Sequence, residues 1–319
     1  MSLLSAHVVT LGIGGFRGSF AVGADATAVA AMLDDFPLLN FITASQTARP
    51  IDLVSWKTEV SATVKAAAGR VRYWQLGNEL FIQSAQGDNW VGTPADYAAT
   101  FTAFCEGVRA GDANAVPVTA GLCSGCIEGR GSGTEQLLRL AQQQGAGCDL
   151  HLYRGWESAA SHISWARGIA GGEVVVTECG VTTAADVVKL FSVLYGAGVA
   201  RVYYHSLTPV ATDTPPFQEM ALLENGQPSP RYYAVQTWNR VVGEGISSGT
   251  SLSNGISEYR FGNTRVLWAE TIKSITLPVT AGYNVWRVAI SGLEEKLRPH
   301  HNRVSLQVGP EPCYLMERK

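Results

Sequence analysis

Between residues 36 and 243, short apolar runs bounded by Gly, Pro or polar residues alternate with longer stretches of helical period. That alternation predicts repeated βα units around a parallel sheet. Strands are predicted at LLNFITAS (38–45), VRYWQLGNEL (71–80), VPVTAGL (116–122), CDLHLYRG (148–155), EVVVTECG (173–180) and ARVYYHSL (200–207), with HVVTLGI (7–13) ahead of them. Helices are predicted over 26–33, 52–69, 94–110, 135–144, 159–169, 184–195 and 231–242. In the second of these Leu53, Trp56, Val60, Val64 and Ala67 recur at spacings of three and four, the period of one helix face. Asp25 and Thr93 are placed to cap the helices that follow them, and Pro94 stands at a first helical position, where its missing N–H costs nothing. A closed (β/α)8-type TIM barrel needs eight strands. Either another strand lies within the first 20 residues or the barrel is incomplete.

Beyond Gly243 the pattern changes to strands and turns alone: ISEYRFGN, TRVLWAETI, SITLPV, YNVWRVAI and RVSLQVGPEPCYL. The chain therefore divides into an α/β barrel domain over 1–243 and an antiparallel β module over 244–319. A length of 319 residues suits a barrel of about 250 residues with a small module attached.

Hydrophobic residues at 46% and charged residues at 16% describe a globular chain with a sizeable core. Lys and Arg total 24 against 27 Asp and Glu, a net charge of −3 with no basic block, which removes nucleic acid as an expected partner. No apolar run approaches the roughly 20 residues of a membrane span. The opening MSLLSAHVVTLGIGG lacks a basic start and a clean cleavage site, so no secretory signal is expected; a cytoplasmic protein, or one released by lysis or a non-classical route, is the expectation. Six scattered cysteines are read mainly as buried thiols. A Cys123–Cys126 or Cys148–Cys179 bridge is conceivable under oxidation.

The chemistry is expected where parallel barrels place it, at the C-terminal ends of strands. Glu79 ends VRYWQLGNEL and Glu178 ends EVVVTECG. Two carboxyls about 5 to 5.5 Å apart serve a retaining glycosidase as nucleophile and acid/base, and a wider gap serves an inverting one.

Asn78-Glu79 within YWQLGNEL and Glu178 within VVVTECG resemble the acid/base and nucleophile strands of glycoside hydrolase clan A, the retaining barrel enzymes. NWVGTPADY, DLHLYRG and YYHSL…ALLENGQPSPRYYAV support the likeness. It spans roughly residues 38–319 and is most similar to family 39 and its neighbours, including bacterial exopolysaccharide hydrolases. The resemblance implies a hydrolase acting on a β-linked polysaccharide or oligosaccharide, with no cofactor and no metal, and a β-sandwich as the trailing module. It implies Glu178 as nucleophile, Glu79 as general acid/base, Asn78 as donor to the sugar 2-hydroxyl, and Tyr153 as support for the nucleophile, with His151 on the same face. Arg17, in GGFRGSF, is matched to the clan's arginine beneath the nucleophile. Trp90 and Trp156, in loops after strands, are candidates to stack on a sugar, and His205 is a candidate at the rim. Trp74, Trp268 and Trp286 are assigned to the core. Only 78 residues precede Glu79, so the first βα unit is expected to be shortened or absent.

Other readings are weaker. LGIGGFRG misses the G-x-G-x-x-G spacing because Arg17 stands at the third glycine. Cys123 and Cys126 have CxxC spacing but no second pair at zinc-like spacing. An exo-β-glycosidase, and a non-catalytic carbohydrate-binding protein on a decayed barrel, stand as alternatives to an endo-acting enzyme.

Overall fold

The structure, a computed structural model, describes residues 7, 10–20, 26–79, 90–153, 155–209, 215–243 and 250–319. Among the described residues, parallel strands β1 (Phe16–Phe20), β2 (Leu39–Ala44), β3 (Tyr73–Leu76), β4 (Val116–Val118), β5 (Cys148–Leu152), β6 (Val174–Cys179) and β7 (Arg201–Tyr204) lie side by side in chain order. β1 to β4 form one ladder and β5 to β7 another, joined by parallel bridges Val118–Gly147 and Leu122–Leu150. Helices α1 (Ala26–Asp35), α2 (Leu53–Ala66), α3 (Pro94–Gly111), α4 (Ser124–Gly129), α5 (Ser132–Gln144), α6 (Ala159–Ala170), α7 (Ala184–Gly196), α8 (Phe217–Met220) and α9 (Pro230–Val241) fall between and after them. The arrangement fits the α/β barrel class.

The helix ends follow the sequence chemistry. Asp52 caps α2 by accepting from the Val54 and Ser55 amides at 2.9 and 3.2 Å. Thr93 and Asp96 form a reciprocal capping box ahead of Pro94. α2 buries Trp56, Val60 and Val64 against α3, where Gly107 and Gly111 let the two backbones meet. A Cβ at Gly107 would stand 2.8 Å from the Lys57 carbonyl, and one at Gly111 would stand 2.6 Å from that of Ser61.

One expectation at the N-terminal end is corrected. The apolar run 7–13 is not a strand: His7, Thr10 and Leu11 are helical. α9 holds this turn, with Gln236 donating to the Thr10 carbonyl at 3.0 Å and Asn239 to that of Leu11 at 2.8 Å, while Leu11 is buried. The first strand is instead FRGSF, which answers to the further strand expected within the first 20 residues. β1 and β7 are only partly buried where β2 to β6 are mostly buried. Among the described residues no ladder joins β1 to β7; a cleft of about 480 Å³ runs between them, lined in part by Gly15, Arg17, Tyr203 and His205 and reaching Glu178.

After a short hairpin of β8 (Leu223–Glu224) and β9 (Gln227–Pro228), the remaining strands are antiparallel: β10 (Thr250–Ser253), β11 (Ile256–Phe261), β12 (Thr264–Ala269), β13 (Lys273–Pro278), β14 (Asn284–Ala289), β15 (Glu294–Leu297), β16 (Arg303–Val308) and β17 (Cys313–Arg318). Six form a sheet in the order β10-β11-β12-β17-β14-β15, and β13 pairs with β16. Alternation sorts their faces. Leu267, Ala269, Cys313 and Leu315 join Leu277, Val304 and Leu306 in a core of their own, whereas Val266, Trp268, Tyr314 and Met316 join the core of the α/β part. Glu294 ties the two parts on the outside, bonded to Arg240 of α9 and Arg318 of β17 at 2.5 and 2.9 Å.

Candidate active site

Glu178 occupies the one position of β6 that is not fully buried, and β5 is registered so that His151 lies opposite it. Glu79 follows β3 after Gly77 and Asn78. Gly77 takes a φ of 75° and Glu79 itself a φ of 40°, a backbone conformation that costs a residue with a side chain on the order of 1–3 kcal/mol and collects at functional sites. The bend aims Glu79 back at β5, where its Oε1 lies 2.7 Å from His151 Nδ1.

Each oxygen of Glu178 is held. Arg17 Nη1 donates to Oε1 at 2.5 Å, and the Tyr153 hydroxyl donates to Oε2 at 2.6 Å. His151 Nδ1 lies 3.4 Å from the same Oε2. Arg17 also donates through Nη2 to Asn78 Oδ1 at 2.5 Å, which fixes the Asn78 amide and leaves its N–H groups to donate elsewhere. Glu79, His151 and Glu178 each present a ligand-type atom, all within 4.8 Å of one another. It is the one group of metal-ligand type found among the described residues, but a guanidinium, a phenol and an imidazole already engage its carboxylates.

A buried polar layer lies beneath. Arg17 Nε donates to Thr43 Oγ1 at 3.0 Å, Thr43 donates to Gln75 Oε1 at 2.8 Å, and Gln75 Nε2 donates to Asp149 Oδ2 at 2.6 Å. Asp149, fully buried, accepts as well from the Thr177 amide at 2.9 Å and hydroxyl at 2.5 Å. His151 Nε2 lies 3.1 Å from Asp149 Oδ2. Both ring nitrogens of His151 thus face carboxylates, an arrangement that only the imidazolium satisfies as a donor on both sides. Gly121 makes the room: a Cβ there would overlap the His151 ring.

The charges set the ionisation. Burial alone would push Glu178 up, but His151 and Arg17 beside it and the Tyr153 hydrogen bond bring it down to about 2. Burial pulls His151 down, and the facing Glu178 and Asp149 carboxylates overcome that and raise it to about 10. Burial raises Tyr153, so it donates as a neutral phenol. Glu178, depressed from 4.5, contributes stability present above pH 4.5 and lost as pH falls toward 2. His151, raised from 6.5, contributes stability present below pH 6.5 and lost as pH rises through 10. Both contributions are complete between pH 4.5 and 6.5. Urea midpoints measured against pH should fall on either side of that window, and Glu178→Gln should flatten the acid limb. An acid limb unchanged by the substitution would contradict this assignment of charge.

The structure thus brings Arg17, Asn78, Glu79, His151, Tyr153 and Glu178 together. His205 borders the cleft with its ring 6.0 Å from that of Tyr153. The two aromatic candidates pack against other aromatic rings of the protein. Trp90 is 8% exposed, packed edge-on to Tyr97 at 5.2 Å. Trp156 packs edge-on to Trp268 of the β module at 5.6 Å, with Lys189 Nζ 5.1 Å from its ring centre, so that it joins the two parts of the chain. Trp74 and Trp268 are buried; Trp286 is half-buried between Lys296 and Arg318. Thr43, Gln75, Gly121, Asp149 and Thr177 were not expected at the site. Cys123 and Cys126 are joined as a disulfide, and Cys148 and Cys179 are free and buried.

No protein-family model matches the chain, and no curated protein sequence matches it. Solved structures do. A family 39 glycoside hydrolase from Bacteroides cellulosilyticus WH2 superposes with a TM-score of 0.65 at 14% identity, covering 98% of this chain and 77% of that one. A monomeric β-xylosidase from Caulobacter crescentus CB15 gives 0.64 at 13% identity, covering 99% and 91%. AbfB, a family 51 α-L-arabinofuranosidase from Bifidobacterium longum, gives 0.68 at 12% identity, covering 99% and 89%. The chain has the fold of these clan A glycoside hydrolases over nearly its whole length.

Proposed function

We propose that the chain is a retaining glycoside hydrolase, with Glu178 as nucleophile and Glu79 as general acid/base. The observation that carries the reading is the carboxylate pair itself. The two glutamates present oxygens within 4.8 Å of each other, in keeping with the roughly 5 to 5.5 Å between carboxyl groups of retaining enzymes. Glu178, ionised and gripped by Arg17 and Tyr153, attacks the anomeric carbon as Glu79 gives its proton to the departing glycosidic oxygen. The glycosyl–oxygen bond breaks and an ester to Glu178 forms. Water then attacks the same carbon, Glu79 takes its proton, and Glu178 leaves as carboxylate. His151 Nδ1–H, 2.7 Å from Glu79, lies on the path by which a proton reaches that carboxylate. Asn78 donates to the sugar 2-hydroxyl, a contact that strengthens in the transition state. Residues 1–243 form the catalytic barrel, shortened at its first βα unit, and 244–319 the accessory β-sandwich.

The substrate is a β-linked polysaccharide cut internally. A cleft between β1 and β7 reaches Glu178; internal cleavage is the first reading and hydrolysis from the chain end the second, separated by whether oligosaccharides or monosaccharides appear first. Proton NMR of an aryl β-glycoside during hydrolysis tests the mechanism. The β-anomer of the product should appear first and the α-anomer only by later mutarotation. An α-anomer formed first would overturn the proposal.

A further inference from the structure

We propose that Ser124 is a positioning residue for the two glutamates and that the Cys123–Cys126 disulfide holds it in place. The inference rests on the glycosidase reading of the site. β4 and β5 continue to pair beyond Val118: the Leu122 amide donates to the Asp149 carbonyl at 3.0 Å, and the His151 amide donates to the Leu122 carbonyl at 2.8 Å. At Cys123 the chain leaves the sheet to begin α4. The next rung on β5 needs an acceptor for the Tyr153 amide and a donor for the His151 carbonyl. Ser124 supplies both with one atom, its Oγ donating to the His151 carbonyl at 2.8 Å and accepting from the Tyr153 amide at 3.1 Å. A side-chain hydroxyl thereby does the work of a peptide unit in a parallel ladder. Without it a backbone donor and acceptor at the floor of the site lose their partner, and such groups are rarely left unpaired.

The stretch so fixed carries His151, which faces Glu79 at 2.7 Å, and Tyr153, which holds Glu178 at 2.6 Å. Ser124 itself belongs to a six-residue helix, too short to be stable by its own hydrogen bonds. The disulfide closes the turn around it, and the Cys126 amide donates to Cys123 Sγ at 3.1 Å. Cys123 and Cys126 are partly exposed, whereas Cys105, Cys148, Cys179 and Cys313 are buried. A dithiol reductant would therefore reach this bond, breaking S–S with two electrons and two protons to give two thiols while the reductant closes to its own cyclic disulfide.

The experiment compares Ser124→Ala, Ser124→Thr and the double variant Cys123→Ser/Cys126→Ser with the wild type, on an activated aryl β-glycoside and by amide hydrogen exchange at Tyr153. The serines of the double variant can still cap the turn, so it removes the covalent clamp alone. Ser124→Ala should lower kcat by about 10- to 100-fold, the penalty of a small misplacement of reacting groups, with KM changed less than about threefold. Tyr153 exchange should quicken about tenfold, as expected for one lost hydrogen bond. Ser124→Thr, which keeps a hydroxyl, should restore both readouts. The double variant, and the wild type in dithiothreitol, should lose activity in the same direction. Unchanged kcat and unchanged Tyr153 exchange in Ser124→Ala would overturn the role of Ser124. Wild-type behaviour of the double variant would overturn that of the disulfide; should Ser124→Ala fail to fold, Ser124→Gly is measured in its place, and wild-type kcat and Tyr153 exchange there would overturn the role of Ser124. A wild type inert on every glycoside would count against the glycosidase reading, leaving Tyr153 exchange to judge Ser124 by itself.

Discussion

Glu178→Gln is expected to lower kcat by on the order of 10⁴-fold or more, as removal of a covalent nucleophile does elsewhere. The amide has nearly the shape of the carboxylate, and its oxygen still accepts from Arg17 or Tyr153, so the pocket keeps its form. What is lost is the charge that the two cations of the site were arranged around. Arg17 Nη1 lies 2.5 Å from one oxygen and His151 Nδ1 3.4 Å from the other, holding the carboxyl well below the usual carboxylate range. An uncharged amide forms no stable ester with the anomeric carbon. The loss should be equal for natural polysaccharide and activated aryl glycosides, because both need the same nucleophile, while oligosaccharide binding measured by calorimetry stays close to wild type. A variant that keeps more than about one hundredth of the activity, against the losses cited for true nucleophiles, would remove Glu178 from the role.

Glu79→Gln should separate substrates that Glu178→Gln does not. General acid catalysis contributes about 10² to 10⁴-fold where the leaving oxygen needs a proton, so kcat/KM for the natural glycosidic bond should fall by that much. With a dinitrophenyl leaving group the first step needs no proton, and kcat/KM should stay near wild type. The second step still needs a base for water, so kcat falls, the glycosyl-enzyme accumulates and KM drops with it. An anion that needs no base, such as azide, should restore turnover and yield the glycosyl azide of retained configuration. Equal loss of kcat/KM on both substrates would show that Glu79 does not protonate the leaving group. The φ of 40° at this residue bears on the variant too: Gln pays the same backbone cost, so the comparison isolates the proton.

Much of this arrangement is written in local patterns. Strand and helix order from LLNFITAS to RYYAV follows from period and capping residues, and the strand-end rule singles out Glu79 and Glu178 before any coordinates. Where the reading fails, the missing information is three-dimensional. HVVTLGI has the composition of a strand, but His7, Thr10 and Leu11 are helical, and the Thr10 and Leu11 carbonyls accept from Gln236 and Asn239 of α9, more than 200 residues away. The further strand allowed within the first 20 residues is FRGSF, which its own composition does not mark out and which pairing with β2 from Phe16 to Phe20 establishes. Trp90 and Trp156 stand in loops, and loop position alone does not separate an indole facing a cleft from one facing Tyr97 or Trp268. The polar layer was the most accessible omission. Thr43, Gln75, Asp149 and Thr177 interrupt otherwise apolar strands one by one, and unpartnered polar residues in a buried sheet are rare enough that four of them at matching depth signal a network. Gly121 carried no such mark, since its function is only the space it leaves for His151.

Covalent trapping of the nucleophile tests the central claim most directly. A 2-deoxy-2-fluoro β-glycoside with a dinitrophenyl leaving group slows both steps but lets the first proceed, so the ester accumulates. Intact mass should rise by one fluoroglycosyl unit, and the peptide fragment ions should place it on Glu178. Label on another residue, or rapid processing of a competent natural substrate with no label at all, would contradict the account.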